Sequence, residues 1–191
     1  MTMDKNWVDD VIRFWFEELS PAAWFSGNAH LDDNIRTRFL SLYEDVSDRA
    51  ERIPLSTGRD VLAAVIVLDQ FPRNLFRGNW RAFATDAIAL KLAQQAIAAG
   101  LDQELTPPQR MFLYMPFQHA EDVKTQARSI ELFTSIEDGL GKLLGGKSTL
   151  DFARRHQAVI EQFGRFPHRN AALGRASSAE EQEYIQHNPG F

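Results

Sequence analysis

The sequence predicts an all-α fold, about eight helices stacked as antiparallel pairs in a single helical domain spanning residues 1–191. Three observations carry that reading. Apolar residues recur at helical spacing from one end of the chain to the other. Capping and stop residues divide the chain at intervals that leave only short connections between helices. No stretch alternates strictly between apolar and polar residues, and no hairpin dipeptide joins two strand-like runs.

Each helix carries its own signature. Val8, Val11, Ile12, Trp15 and Leu19 mark one face of the first, which Ser20-Pro21 stops. The second covers about Leu31 to Arg52, with Ile35, Phe39, Leu42, Tyr43 and Val46 inside, and Pro54 ends it. Thr57 caps the third, with Asp60 at the box position. Its run from Val61 to Leu68 is apolar all round, which predicts a central, buried helix. The fourth spans about Thr85 to Ala99 and closes on Gly100. Thr106-Pro107-Pro108-Gln109 opens the fifth, with a capping threonine and proline in the first turn. Pro116 should kink or end it. The sixth runs from about Asp122 to Asp138. The seventh opens at Ser148-Thr149-Leu150-Asp151 and ends near Gly164, and Ser177-Ser178-Ala179-Glu180 opens a short eighth.

Composition excludes several functions. There are no cysteines among the 191 residues, which rules out disulfides, thiolate metal sites and a cysteine nucleophile. A net charge of -5 argues against a nucleic-acid backbone as partner. The start, Met1-Thr2-Met3-Asp4-Lys5-Asn6, lacks the features of a secretory signal. The longest apolar run falls far short of the ~20 residues that span a bilayer. The expected location is therefore cytoplasmic, with neither nucleic acid nor membrane as a partner. Of the 21 basic residues 16 are arginine, the side chain whose planar fork fits carboxylates and phosphates.

Two segments echo each other. Phe71-Pro72-Arg73-Asn74 closes the third helix, and Phe166-Pro167-His168-Arg169-Asn170 closes the seventh with one inserted histidine. More arginine surrounds both: Arg77 and Arg81 after the first, Arg165 before and Arg175 after the second. Proline should stop the helix and phenylalanine should pin the turn to the core. Arginine and asparagine would then stand on a fixed exit loop where they can converge on a ligand. The same residues also suit a plain helix stop, bonding the free carbonyls of the helix end. If the two turns share one pocket, Arg73 and Arg169 need an anion between them. Asp69 and Asp86 are the nearest internal candidates, and a ligand anion is the alternative.

Gly141-Lys142-Leu143-Leu144-Gly145-Gly146-Lys147-Ser148 matches a phosphate-binding loop in letters only. The residues before it, Ile136-Glu137-Asp138-Gly139-Leu140, put two acids where a buried strand is required. No nucleotide cradle is expected. Tyr114-Met115-Pro116-Phe117-Gln118-His119-Ala120-Glu121-Asp122 is the other dense polar cluster, able to present an acid–base group or simply to cap the next helix. His119, His156 and His168 have no ligand spacing, so neither a metal nor a cofactor is predicted. The aromatics Trp7, Phe14, Trp15, Phe16, Trp24 and Phe25 read mainly as core, with the Trp24-Phe25 loop the part nearest solvent.

The chain resembles the bacterial domain-of-unknown-function 924 family over nearly its whole length. The resemblance rests on Val11-Ile12-Arg13-Phe14-Trp15-Phe16, Trp24-Phe25, Asp69-Gln70-Phe71-Pro72-Arg73-Asn74, Ala82-Phe83-Ala84-Thr85-Asp86, Phe112 through Asp122, and Gly164 through Asn170. It implies a tetratricopeptide-like helical fold and supplies no activity. The chain departs from the family pattern at Ala120, where serine is expected, and at Gln109, where glutamate is expected. Two functions follow as expectations. The first is a helical binding module for a small anionic molecule or acidic peptide, with Arg73, Asn74, Arg77, Tyr114, Arg165, Arg169 and Asn170 as ligand-binding residues. The second is an enzyme on a small anionic substrate, with His119 or His168 moving a proton. An enzyme requires a histidine in hydrogen-bond reach of an acid, opening on the arginine pocket. A peptide site would be a long, shallow groove lined with exposed aromatics.

Overall fold

The computed structural model describes residues 6–50, 56–140, 145–146 and 148–188. Among them there is no strand, and helices carry the fold. In chain order the α-helices are α1 (Trp7–Arg13), α2 (Ala29–Arg49), α3 (Gly58–Val65), α4 (Phe71–Leu75), α5 (Asp86–Ala98), α6 (Pro107–Gln118), α7 (Val123–Thr134), α8 (Thr149–Phe163) and α9 (Ala179–His187). No helix among the described residues is long and apolar enough to cross a membrane. The Pro54 stop, and residues 141–144 and 147 of the loop look-alike, lie outside the described residues. The segment leading into that look-alike is a 3-10 turn, Glu137–Gly139.

The caps sit where side-chain chemistry puts them. Thr57 with Asp60 and Thr106 with Gln109 form reciprocal capping boxes. Gly100 and Gly164 close helices with φ of 73° and 67°, a region that L side chains resist. The last helix is capped by Ser178 with Glu181, one residue later than Ser177. α3 is the hub: Val61 to Leu68 are all buried, and the helix packs against α1, α5 and α6. Around it Phe14, Trp15, Phe39, Phe71 and Phe112 form an aromatic core, with Phe39 4.9 Å from both Phe14 and Phe71. Trp24 joins it, while its neighbour Phe25 stands 57% exposed.

The two prolines within helices differ in their effect. Pro116 lies inside α6, which ends two residues later at Gln118. Pro72 does not stop its helix. α3 widens into a π-helical segment, Ile66–Gln70, and runs straight into α4 with Pro72 near its start. The reason lies in what replaces the missing donor. Pro72 brings no N–H, so the Leu68 carbonyl is left without its helical donor, and the Thr85 hydroxyl donates to it instead. The next carbonyl, that of Asp69, accepts from the Arg73 guanidinium. The two echo segments are therefore different structures. The first is a bulged but continuous helix. The second is a true turn, a 3-10 segment Pro167–Arg169 set off from α8 by Gly164.

Candidate active site

The π-helical widening re-aims one residue. Asp69 closes an apolar run and is 0% exposed, an ionisable group in the most hydrophobic part of the chain. Burial alone would raise its pKa. The Arg73 charge, the His119 contact and a hydrogen bond from the Gln70 amide outweigh burial and hold it down at about 2. Its Oδ1 lies 2.7 Å from His119 Nδ1. His119 is the residue immediately after α6, where its N–H still bonds back to the Met115 carbonyl. Burial and the Arg73 charge lower the pKa of His119, against the opposing pull of Asp69. A neutral imidazole facing an ionised carboxylate must carry its proton on Nδ1. Nε2 is left as a lone pair, and it makes no hydrogen bond among the described residues.

Two arginines stand beside this dyad and share one carboxylate. Arg73 grips Asp86 with both terminal nitrogens, at 3.0 and 3.1 Å, and lies 3.6 Å from Asp69. Arg169 Nη1 reaches Asp86 Oδ2, the oxygen that Arg73 Nη2 also bonds, at 3.3 Å. Asp86 is the first residue of α5, where an anion also suits the helix start. The shared anion is thus internal. The two arginines differ in what they have left, however. Both terminal nitrogens of Arg73 are engaged, on Asp86 and on the Asp69 and Ala82 carbonyls. Arg169 uses one nitrogen on Asp86, and its others donate to no acceptor among the described residues. Its guanidinium lies 4.7 Å from the ring centre of Phe83 and 4.6 Å from that of Phe166. Burial and the Arg73 charge bring Arg169 down to about 10, so it remains a cation at neutral pH.

His119, Asp86 and Arg169 line a cavity of about 350 Å³. Glu121 is the other charged residue in its wall. Arg175 holds it through two bonds of 2.7 and 2.9 Å, and the Phe166 N–H donates to it at 2.8 Å. The remainder is apolar: Phe83, Ala87, Leu90, Pro116, Ala120 and Leu173. No serine, threonine or lysine lines it, and no metal-binding group of three or more His, Asp or Glu occurs among the described residues. His156 backs the site, its ring 6.4 Å from that of His119. Burial lowers its pKa to about 4, and the Phe152 carbonyl contact only partly offsets this.

The other expected site residues lie elsewhere. Asn74 and Arg77 both bind Asp32 on α2, at 2.7 Å and at 2.6 and 2.9 Å, tying α4 to α2. The Tyr114 hydroxyl donates to Asp102 at 2.7 Å in the core, and burial with that carboxylate raises its pKa. Arg165 and Asn170 both bind Glu181, which anchors α9. His168 Nε2 meets the Asn188 carbonyl. The echo thus brings together its arginines but not its asparagines or His168. Glu121, Phe83 and Leu173 complete the cavity without having been singled out as ligand-binding positions. Asp69 had two legible signals: it is an acid closing an eight-residue apolar run, and it is one of the two acids nearest the arginine turn.

The chain matches the model of a family described as "Bacterial protein of unknown function (DUF924)" over residues 11–189. It belongs to that family. Among solved structures, a protein of unknown function from Agrobacterium tumefaciens is similar, with a TM-score of 0.84 and 36% identity. The match covers 94% of this chain and 97% of that one. No curated protein matches the chain. Within this DUF924 chain, Ala120 lines the cavity, while Gln109 caps the far end of α6. Gln109 lies in the first turn of α6 and Ala120 two residues past its end at Gln118, with about 14 Å of helix between Gln109 and Gln118 at 1.5 Å per residue. A serine and a glutamate there would not meet along one helix.

Proposed function

We propose that this protein is an acid–base enzyme acting on a small organic molecule, with His119 as general base, Asp69 as its orienting carboxylate and Arg169 as the substrate-binding cation. The observation that carries the reading is the 2.7 Å contact between His119 Nδ1 and the buried Asp69, on a histidine that also lines the cavity. A carboxylate on Nδ1 fixes the tautomer that leaves Nε2 able to take a proton from substrate or water. Lowered basicity keeps the ring neutral, hence competent, at pH 7. With no serine, threonine, cysteine or lysine in the lining, and with Asp86 and Glu121 held by arginines, direct proton transfer or activation of water is the chemistry these residues support. Arg73 is a positioning residue, fixing Asp69 and Asp86.

The alternative of a binding module for an acidic peptide has less support. The cavity is compact and lies at the small end of ligand sites. The exposed aromatics Phe25 and Trp80 do not line it. A cytoplasmic location belongs to the same proposal. The test is untargeted mass spectrometry of a bacterial metabolite extract incubated with protein. Metabolite changes should appear with the wild type and vanish with both His119→Gln and Asp69→Asn. Nitrogen NMR at pH 7 should find His119 neutral and protonated on Nδ1. An imidazolium, or conversion undiminished in His119→Gln, would sink the reading.

A further inference from the structure

From the wall of this cavity we infer the substrate class: a monocarboxylate with an apolar body, its carboxylate on the open edge of Arg169 and its body against Phe83, Leu90, Pro116 and Leu173. The inference rests on the proposed acid–base reading and adds what that reading leaves open, namely which anion and which shape.

Arg169 decides the anion. Its guanidinium packs near Phe83 and Phe166, and one nitrogen is tied to Asp86. What remains is an edge whose nitrogens donate to no acceptor among the described residues, on a residue that lines the cavity. Two parallel N–H groups fit the two oxygens of a single carboxylate. The charge of the wall sets the valence. Arg73 and Arg169 face Asp69 and Asp86, and Arg175 covers Glu121, so these six charges sum to zero. One added negative charge meets one open guanidinium edge. A dianion such as phosphate or a dicarboxylate would place its second charge against Asp86 or Glu121, with no further cation in the lining to receive it.

The apolar side decides the body. Phe83, Ala87, Leu90, Pro116, Ala120 and Leu173 offer no hydrogen-bonding side chain, so a polyhydroxylated or zwitterionic body would lose its hydration without replacement. Ala120 matters here, because a serine at this position would put a hydroxyl into that wall.

Calorimetry or ligand-observed NMR on the full chain tests this with phenylacetate and hexanoate as probes, against phenylacetamide, inorganic phosphate and succinate. Both monocarboxylates should bind. Phenylacetamide, which keeps the shape and loses the charge, should bind roughly 30-fold more weakly, the size of one charge-assisted bond. Arg169→Met should lose the same factor, and Arg169→Lys should recover only part of it. The wild-type comparison of phenylacetate with phenylacetamide needs no variant, so a misfolded Arg169→Met cannot blur it. Equal binding of acid and amide, or tighter binding of phosphate or succinate, overturns the inference. Carboxylate binding through Arg169 with no His119-dependent turnover of any metabolite would leave the inference standing and remove the acid–base reading beneath it.

Discussion

Replacing Arg73 by alanine should cost far more stability than replacing Arg169, although both touch the same carboxylate. Arg73→Ala removes the two-pronged bond to Asp86 and the only cation within 4 Å of Asp69 among the described residues. Asp69, 0% exposed, would keep only the Gln70 amide and a neutral His119. Stranding a buried charge in this way costs about 3–5 kcal/mol. Arg169→Ala removes one 3.3 Å contact and two ring contacts, and it relieves Arg73 of a like charge. About 1–2 kcal/mol is the corresponding loss. For a domain of this length each kcal/mol moves the midpoint by roughly 2–4 °C, so Arg73→Ala should melt about 10 °C lower and Arg169→Ala only about 4 °C lower. Thermal and urea melts at pH 7 measure both. Combining Arg73→Ala with Asp69→Asn should recover part of the loss, because the stranded charge is gone. Equal melting losses for the two arginines, or a double variant that loses the sum of both single effects, would refute the assignment of Arg73 as the lock and Arg169 as the open cation.

Gly58→Ala should destabilise by about 2–3 kcal/mol, although alanine is the better helix former. A Cβ there would sit 2.2 Å from the Leu101 carbonyl oxygen, which is backbone and cannot swing aside; urea midpoints of the variant check this. Acid should weaken the fold well before the carboxylates titrate. His156 is held at about 4 when folded and returns to about 6.5 when unfolded, so below pH 6.5 the unfolded chain takes up the proton first. That stabilisation is complete above pH 6.5 and is lost as pH falls toward 4, by up to about 1.4 kcal/mol per pH unit for this histidine. Buried His119 acts with the same sign, whereas Asp69 at about 2 keeps its contribution throughout. Melts between pH 7 and 5 should therefore show a slope that His156→Phe reduces, and an unchanged slope would remove the argument.

Helix caps were the most legible part of the fold, because a cap is chemistry between neighbours. Thr57, Thr106, Gly100 and Gly164 all sit at helix ends for reasons contained in a few adjacent residues. The site was legible by half. The repeated Phe-Pro with Arg-Asn pointed to Arg73 and Arg169, and the need for an anion between them pointed to Asp86 and Asp69. What the repeat could not convey was that its two copies have different backbones. Whether Pro72 stops a helix depends on a substitute donor for the Leu68 carbonyl, and that donor, Thr85, lies 17 residues away. The asparagines went elsewhere for a similar reason. Asp32 and Glu181 claim them from α2 and α9, and nothing near Asn74 or Asn170 in sequence announces those partners.

The closed charge set around the cavity also has a consequence for His119 itself. With Arg73 and Arg169 balanced against Asp69 and Asp86, and Arg175 against Glu121, the neutral imidazole is the state that leaves the set balanced. Burial adds to this, and the ring resists protonation. A carboxylate arriving at Arg169 adds one negative charge to a low-dielectric pocket, and His119 is the group in the lining that can neutralise it by taking up a proton. Binding and proton affinity are then linked: whatever factor the ligand adds to the affinity of His119 for a proton, the proton adds to the affinity for ligand. The His119 pKa, followed by NMR, should rise by roughly one unit with saturating phenylacetate, worth about 1.4 kcal/mol, and should stay put with phenylacetamide. Phenylacetate should correspondingly bind more tightly as pH falls from 7 toward 5.5. In substrate the same linkage makes His119 a stronger base once the anion is seated, so that the ring is neutral while the cavity waits and avid for a proton when it is filled. A His119 pKa that moves equally with acid and amide would mean that the shift comes from desolvation by any ligand, and the electrostatic coupling between Arg169 and His119 would be lost as the explanation.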